Sequence, residues 1–245
     1  FLIASFITGL FQKFDLVIAT SPQFFTTWSA FLLSFFKRKP WIFELRDIWP
    51  ESIKSVGAIK NEKIISFLEK IELALYKHAN IIIALTNSFK KNLVKRGIPK
   101  EKIKVVENGA SNIFYEKLIN NQEFKKELNL DNKFVVGYIG TMGMAHGLDF
   151  IINSIPKIYD DNIHFLFVGD GAKRDSIVKQ SKMLNLKNIT FIGLVSETEV
   201  VKYMSICDVT LVNLIKSETF KNVLPSKIFN SAAMKKPILL GVEGE

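Results

Sequence analysis

The sequence predicts an α/β protein of two successive Rossmann-like units, each built on a largely parallel sheet. Short runs rich in β-branched and aromatic residues alternate with helical patterns along the 245 residues. The alternation stops once, between residues 110 and 132, where the chain turns polar and helical, and then it restarts. Strands that alternate with helices pair in parallel, and such sheets bind ligands at the carboxyl ends of their strands.

The first half, residues 1–110, is the first predicted domain. Its strands are predicted at residues 15–22, 41–45, 80–86 and 102–109. Between them we expect a helical stretch to about Phe36, an amphipathic helix over residues 61–78, and a helix that Ser88 caps and Gly97 ends.

The second half, residues 111–245, is the second predicted domain. Its strands are predicted at residues 134–139, 163–168, 189–192, 209–214 and 238–241, and its helices at 148–158, 173–184, 197–205 and 228–234. An apolar content of 48% is enough for a substantial core. The single cysteine, Cys207, excludes an internal disulfide, and we expect a buried apolar side chain there.

Positive charge is concentrated in the first half. Residues 1–110 hold 17 Lys and Arg against 9 Asp and Glu, whereas the remainder is nearly balanced. A basic half suits an anionic membrane surface or a pyrophosphate, although solubilising charge alone explains it as well. A nucleic-acid partner is disfavoured, because the basic residues are spread over several elements and no nucleic-acid-binding motif is present.

Two apolar runs near the start of the chain are shorter than the roughly 18 residues that a spanning helix needs. Residues 1–11 and 28–36 are largely apolar, and Lys37, Arg38 and Lys39 follow the second run. Aromatic residues followed by a basic cluster suit a helix in the lipid interface, and burial against the domain's own sheet is the alternative. Because the chain opens on Phe1 inside an apolar segment, we expect an interior part of a longer protein, truncated at both ends.

Three stretches of the second half each couple an apolar run to a turn of small residues. They cover residues 136–151, 165–175 and 223–241. The glycines are Gly140 and Gly143 in the first stretch and Gly169 and Gly171 in the second. Each pair follows a predicted strand, where bare backbone N–H groups can approach an anion. Ser226 and Lys227 stand at the predicted mouth of the last helix, where a hydroxyl, an ammonium and the helix dipole converge. Together these stretches predict a site for a phosphorylated ligand.

With this pattern, the sequence resembles the retaining glycosyltransferases of family 4, which have the GT-B fold of two Rossmann-like domains facing a cleft. The resemblance is carried by DIWPES at residues 47–52, VGYIGTMG at 136–143, GDGA at 169–172 and PSKIF at 225–229. The most similar subgroup builds bacterial surface polysaccharides and includes N-acetyl-fucosaminyl transferases of O-antigen assembly.

The resemblance implies a cytoplasmic enzyme, peripheral on the inner face of the membrane. The second domain would hold a nucleotide-diphosphate sugar, with a UDP-N-acetyl sugar expected, and the first would receive a polyprenyl-diphosphate-linked or oligosaccharide acceptor. No cofactor or metal is expected: the DxD motif of metal-assisted transferases is missing from the sequence. The donor-binding candidates are Gly140, Thr141, Gly143, His146, Gly169, Gly171, Arg174, Ser226, Lys227, Asn222 and Asn230.

Two departures from the family pattern bear on catalysis. Asn222 and Asn230 stand where the family has paired glutamates, and Thr141 and His146 stand where it has Arg and Lys. Asparagine still hydrogen-bonds a ribose or sugar hydroxyl, so we expect donor binding to persist. Glu218 is a candidate to replace a lost catalytic carboxylate.

The acceptor-side candidates surround an aromatic–proline turn after the second predicted strand. They are Arg46, Trp49 and Glu51. Asp47, in the same turn, is the other catalytic candidate: it would orient or deprotonate the acceptor hydroxyl or stabilise charge on the donor sugar, with Trp49 lining the cleft. The alternative is a capping Asp and a packing Trp.

Two rival functions remain. An NAD-dependent oxidoreductase is disfavoured, because Gly137, Gly140 and Gly143 give GxxGxxG rather than GxGxxG and no acidic residue ends a following second strand about 20 residues on. A catalytically degenerate domain that binds a sugar nucleotide or scaffolds a partner enzyme is favoured by the two missing carboxylates. Donor binding without turnover would distinguish this rival from a transferase.

Overall fold

The chain folds into two compact units. In the computed structural model, residues 1–21, 24–115 and 121–244 are described. The first unit comprises Phe1–Glu107, Ser217–Leu224 and Gly244, and the second Asn108–Lys216 and Pro225–Glu243. The change of unit after Glu107 lies close to the boundary predicted at residue 110, but Ser217–Leu224 packs with the first unit, to which the sequence did not assign it. Pro22 and part of the polar stretch before residue 132 lie outside the described residues.

The first unit is a parallel sheet in the order β1-β2-β3-β4. Its strands are β1 (Val17–Thr20), β2 (Trp41–Leu45), β3 (Ile81–Ala84) and β4 (Ile103–Val105), and its helices are α1 (Leu2–Phe11), α2 (Phe24–Lys37), α3 (Glu51–Ser55), α4 (Glu62–His78) and α5 (Asn87–Lys95). Trp41, Phe43 and Leu45 of β2 alternate inward into the core, where Tyr76 of α4 joins them.

The N-terminus of α5 corrects one prediction. Its N-cap is Thr86, whose hydroxyl accepts a hydrogen bond from the Phe89 N–H at 3.0 Å. Ser88, the predicted cap, lies within the first turn. Thr86 has the extended backbone that a cap needs, whereas Ser88 is already helical.

The apolar run at the start of the chain forms α1, in which no residue is fully buried. Phe1, Ile3, Ile7 and Phe11 are all exposed. Of the second run, Trp28 and Phe31 pack against the core, whereas Phe35 and Phe36 are exposed. Burial therefore explains only part of the apolar sequence.

The basic cluster after α2 is largely engaged within the first unit. Lys37 Nζ donates to the carbonyl oxygens of Leu10 and Gln12 at 2.8 and 2.7 Å, near the C-terminus of α1. Lys39 forms an ion pair with Asp15 at 2.9 Å. Within the described ranges, we find no helix with the length and apolar character needed to cross a bilayer.

The second unit is a parallel sheet in the order β7-β6-β5-β8-β9. Its strands are β5 (Phe134–Ile139), β6 (Ile163–Val168), β7 (Ile189–Ile192), β8 (Val209–Asn213) and β9 (Ile238–Gly241), and its helices are α6 (Gln122–Glu127), α7 (Leu148–Ser154), α8 (Arg174–Met183), α9 (Glu197–Ser205) and α10 (Ser226–Ala233). Val135 and Ile139 contribute to the core cluster on one face, and Val136 and Tyr138 to that on the other. Cys207 is buried, as expected.

Three helices of this unit differ from their predicted bounds, and α8, at Arg174–Met183, does so by one residue at each end. α7 ends at Ser154 and continues as a 3-10 turn at Ile155–Lys157, because Pro156 cannot donate a helical hydrogen bond. α10 begins at Ser226 rather than near Ile228. Ser226 and Lys227 are therefore part of its first turn.

Candidate functional site

The loop after β5 and helix α10, which follows β8, come together outside the second sheet. The chain steps from β5 to β6 and β7 in one direction, and β8 returns to the other side of β5. Open parallel sheets bind ligands at such a reversal of strand order, outside the carboxyl ends of the strands. Gly140, Gly143 and His146 lie in the loop after β5, and α10 follows β8.

The glycine turns after β5 and β6 interlock through their backbones. Met142 N–H donates to the Asp170 carbonyl oxygen at 2.7 Å. A Cβ on Gly169 would stand 2.2 Å from the Gly140 carbonyl oxygen, and a Cβ on Gly171 would stand 2.6 Å from that of Met142. Gly169 and Gly171 also have φ of +132° and +149°, so only glycine fits these positions.

Lys227 lies over the first glycine turn. A Cβ on Gly140 would stand 2.7 Å from Lys227 Cε. The Lys227 Nζ is 3.3 Å from His146 Nε2 and 5.2 Å from the centroid of the Tyr138 ring. Burial lowers the pKa of this ammonium to about 8. In the described part of the chain no carboxylate pairs with Lys227, so an incoming anion would supply its missing counter-charge.

His146 is fixed by backbone contacts at the end of the same loop. Gly143 N–H points at His146 Nδ1 from 3.2 Å, and Asn213 Nδ2 donates to the His146 carbonyl oxygen at 2.8 Å. Burial, and then the nearby Lys227, lower the pKa of the imidazole to about 4. The ring is therefore neutral at neutral pH.

Three further candidates occupy the turns and helix starts of this unit. The Thr141 carbonyl oxygen accepts the Tyr138 hydroxyl at 2.6 Å, and the Thr141 side chain is exposed. Arg174 opens α8, and its Nε is buried without a hydrogen-bond partner in the described structure, although Nη1 lies 3.7 Å from Asp175. Ser226 is exposed beside Lys227.

Asn230 is partly buried and follows Lys227 by about one turn of α10. Of the two asparagines, Asn230 belongs to the second unit and Asn222 to the first. Asn222 and Glu218 pack with the first unit. The Asn222 carbonyl oxygen accepts the Thr86 hydroxyl at 3.1 Å, and Glu218 forms an ion pair with Lys221 at 2.6 Å. Within the second unit, the structure thus brings together the glycines, His146 and Lys227. Glu218 and Asn222 belong to the first unit, and their roles stay predictions.

The acceptor-side candidates follow β2 in the first unit. Backbone N–H groups of Arg46 and Asp47 donate to Ser21 Oγ at 3.0 and 3.3 Å. Burial raises the pKa of the Asp47 carboxyl, against hydrogen bonds from Ser52 and the Ile48 backbone. Glu51 begins α3. A partly buried carboxyl with a raised pKa is a candidate acid or base.

Trp49 lies in the core of the first unit. It is 7% exposed, and its ring stacks on Phe24 with 4.1 Å between centroids. This burial corresponds to the packing alternative, and the predicted role of the indole in lining a cleft has no support from its surroundings in the first unit.

Sequence reasoning missed a buried ionic cluster in the first unit. Glu72 is 1% exposed, accepts the Tyr76 hydroxyl and pairs with Arg96. Burial raises the pKa of Glu72 to about 7. The available signal was the spacing, since Glu72 lies three residues before Leu75 and four after Leu68 on the apolar stripe of α4.

The other histidines have local partners: His78 Nδ1 contacts the Ala74 carbonyl oxygen at 2.8 Å, and His164 Nε2 contacts Thr190 Oγ1 at 2.9 Å. Nowhere in residues 1–21, 24–115 and 121–244 do three His, Cys, Asp or Glu side chains gather as a metal site requires.

Two family models match the chain. The family described as glycosyl transferases group 1 matches residues 120–244, and the family described as glycosyltransferase family 4 matches residues 2–111. The two matches divide the chain close to the boundary between the two units.

Relatives and solved structures agree with the family matches. "Probable glycosyltransferase WbjE" of Pseudomonas aeruginosa is 24% identical over 99% of this chain and 61% of its own length. TuaH of Bacillus subtilis, named for a glycosyltransferase of teichuronic acid biosynthesis, is 26% identical over 81% of this chain and 49% of its own length. The chain thus spans about half to three-fifths of these relatives.

Among solved structures, Anabaena HepE in complex with UDP and glucose is 20% identical, with a TM-score of 0.78 over 99% of this chain and 63% of that chain. The prediction of an α/β fold with two parallel sheets, of the GT-B type, is confirmed. The family 4 model matches most of the first unit, and because the group 1 model matches more than half of the chain, this chain belongs to the family of group 1 glycosyl transferases.

Proposed function

We propose that this chain is the greater part of a retaining glycosyltransferase that moves a sugar from a UDP-sugar to a lipid-linked or oligosaccharide acceptor in bacterial surface polysaccharide biosynthesis. Family membership, the names of WbjE and TuaH, and the UDP held by HepE support this function. A UDP-N-acetyl sugar remains the expected donor, and the cytoplasmic side of the membrane the expected location.

The single observation that carries the proposal is the position of Lys227. Its ammonium lies against Gly140 at the carboxyl end of β5, beside His146 and without a carboxylate partner among the described residues. In this place it would neutralise a diphosphate through charge-assisted hydrogen bonds. Ser226 and the backbone N–H groups of the glycine turns would bind further phosphate oxygens.

In the transfer step, the bond between the sugar C1 and the β-phosphate oxygen breaks and the acceptor oxygen bonds to C1. The acceptor hydroxyl loses its proton, and the nucleoside diphosphate leaves with the bonding electrons. Lys227 would stabilise the charge that develops on the leaving oxygen, so the reaction would need no divalent cation. Asp47 and Glu218 are the candidates to take the proton or to stabilise the sugar cation.

Binding and turnover test this function separately. UDP, GDP, UDP-sugars and GDP-sugars are titrated calorimetrically into the 245-residue chain, and the intact protein is incubated with the same donors and bacterial membrane extract. We expect a UDP-sugar to bind and its sugar to appear in a lipid-linked product of retained anomeric configuration. A folded protein that binds and consumes none of these donors would refute the proposal.

The role of Asp47 is tested by Asp47→Asn, which keeps the shape of the side chain. We expect turnover to fall by roughly 100-fold or more, with UDP affinity unchanged. Glu107→Gln, in an exposed position, is the matched control. Full turnover of folded Asp47→Asn would remove Asp47 from the mechanism.

A second candidate function is a sugar-nucleotide-binding domain without transferase activity. Asn222 and Asn230, in place of the paired glutamates, favour it. Tight UDP-sugar binding by the intact protein, with no product and no donor hydrolysis, would establish this function in place of the transferase.

We propose membrane contact through α1 and the end of α2. The exposed Phe1, Ile3, Ile7 and Phe11 support it, whereas the internal partners of Lys37 and Lys39 weaken its electrostatic part. Co-sedimentation with anionic vesicles, compared between the wild type and Ile3→Ser/Ile7→Ser, tests this contact. Equal sedimentation of both proteins would exclude these side chains from it.

A further inference from the structure

The two ring nitrogens of His146 face groups that cannot both donate to a neutral imidazole. Gly143 N–H points at Nδ1 from 3.2 Å, and Lys227 Nζ lies 3.3 Å from Nε2. A neutral imidazole has one N–H and one lone pair. When Nδ1 accepts a hydrogen bond from the Gly143 N–H, Nε2 carries the ring proton. The Lys227 nitrogen must then be an uncharged amine that accepts a hydrogen bond from Nε2–H.

The other arrangement keeps Lys227 as an ammonium that donates to Nε2. The Nδ1–H group must then turn to the Gly143 carbonyl oxygen, which is 3.4 Å away, and the Gly143 N–H loses its acceptor. The contact to the Gly143 N–H is the shorter of the two. This favours the first arrangement, in which the pair is uncharged, over the second, in which the pair carries one positive charge.

Among the described residues, no nearby acid compensates a positive charge on this pair. Tyr138 of β5 presents its ring to both side chains, and β8 contributes only the amide of Asn213. The neighbouring acids are engaged elsewhere: Asp149 of α7 pairs with Lys173 at 3.0 Å, and Asp170 Oδ1 accepts the Gly171 N–H at 2.7 Å. Burial lowers the pKa of both His146 and Lys227, in agreement with this geometry.

We propose that the second unit takes up a proton from solvent when a nucleoside diphosphate binds, because Lys227 accepts the His146 Nε2–H as an uncharged amine in the free protein and becomes an ammonium against the phosphate oxygens. This inference rests on the proposed function, since it assumes that the diphosphate binds beside Lys227. The proton comes from the buffer, and no covalent bond forms. The added proton stays on Lys227 while the diphosphate is bound and is released to solvent when the diphosphate dissociates.

Calorimetric titration of UDP into the 245-residue chain measures this uptake directly. The titration is run at pH 8 in two buffers that differ in ionisation enthalpy, such as Tris and HEPES, and the difference in heat gives the number of protons taken up. Because the Lys227 ammonium is about half titrated at this pH, we expect uptake of about half a proton or more per UDP.

The matched variants are Lys227→Arg and Lys179→Arg. A guanidinium stays charged at pH 8, so Lys227→Arg should bind UDP with proton uptake reduced toward zero. Lys179 is exposed on α8, and its variant should keep the wild-type uptake. If Lys227→Arg does not fold, the wild type alone suffices: its UDP affinity should fall by up to about tenfold per pH unit above pH 8.

The outcomes separate this inference from the proposed function. UDP binding with the same heat in both buffers, or with uptake that persists in folded Lys227→Arg, overturns the uncharged Lys227 amine of the free protein and leaves the donor site intact. A folded chain that does not bind UDP overturns the proposed function and this inference together.

Discussion

The Lys227 side chain fills the space that a Cβ on Gly140 would need, with 2.7 Å between that Cβ position and Lys227 Cε. By contrast, a Cβ on Gly169 would meet the backbone of Gly140 at 2.2 Å. A flexible side chain can move away, but an interlocked backbone cannot. The two glycines therefore have different consequences when they are replaced.

Gly140→Ala should lower UDP affinity more than it lowers stability. We expect the unfavourable φ of +128° to lower the unfolding free energy by about 1–2 kcal/mol. The added Cβ would also displace the Lys227 side chain, which lowers the affinity for UDP. Gly169→Ala should lose more than about 3 kcal/mol, because its Cβ meets backbone atoms. Urea denaturation and UDP calorimetry measure both effects.

Gly97→Ala is the control for backbone strain alone. Gly97 has a φ of +86°, and nothing lies within 4 Å of its Cβ position. It should lose about 1 kcal/mol and keep its UDP affinity. If Gly140→Ala and Gly97→Ala had the same stability loss and the same UDP affinity, the contact between Gly140 and Lys227 would make no contribution to UDP binding.

Lys227→Met should weaken UDP binding while leaving the protein at least as stable. The loss of one charge-assisted contact should reduce UDP affinity by roughly 10- to 100-fold. Stability at pH 7 should stay equal or rise by up to about 2 kcal/mol, because a cation whose pKa is lowered to about 8 destabilises the folded state.

The sign of the pH dependence checks this account. The unfolded pKa of Lys227 lies above its folded pKa, so its contribution to wild-type stability should improve as pH rises from 8 to about 10.5, and Lys227→Met should lack that contribution. Lys179→Met should behave as wild type. A large loss of stability in Lys227→Met would instead identify Lys227 as a structural residue.

Glu72 should make the first unit more stable at mildly acidic pH. Its pKa is about 7 in the folded state against 4.5 for an ordinary Glu, so the folded state binds more protons between these values. The unfolding free energy should therefore fall by on the order of 1–3 kcal/mol as pH rises from about 5 to 7. Glu72→Gln should remove this slope.

Tryptophan fluorescence measures that transition in the first unit alone, because Trp28, Trp41 and Trp49 all belong to it. Glu62→Gln, at an exposed position in the first turn of α4, is the control and should keep the slope. A wild-type curve as flat as that of Glu72→Gln would show that Arg96 keeps Glu72 ionised throughout.

Cys207 should react with thiol reagents only after the second unit opens. The side chain is 1% exposed, and burial raises the pKa of the thiol to about 12. At pH 8 the thiolate fraction is then about a thousandfold below that of a thiol with a pKa of 9. Labelling kinetics with and without urea test this, and rapid labelling of the native protein would contradict the burial.

Local sequence patterns determined most of the elements of this fold. Five strands, β2, β5, β6, β7 and β9, have the predicted bounds, because each is a short apolar run between turn residues. The structural role of the glycines after β5 and β6 could also be predicted, since glycine in these turns marks close backbone approach. Helix starts were harder, as Thr86 shows, because a cap depends on backbone angles rather than on residue type alone.

The sequence by itself determined the two α/β units, the family and the residue types from which a phosphate site could be built. Only the tertiary structure decided which of these residues meet. Lys227 and His146 are 81 residues apart and contact each other because β8 pairs with β5. The same long-range packing placed Trp49 in the core and left Lys227 without a carboxylate among the described residues. Burial and counter-charge depend on neighbours brought together across the chain, and no local pattern records them.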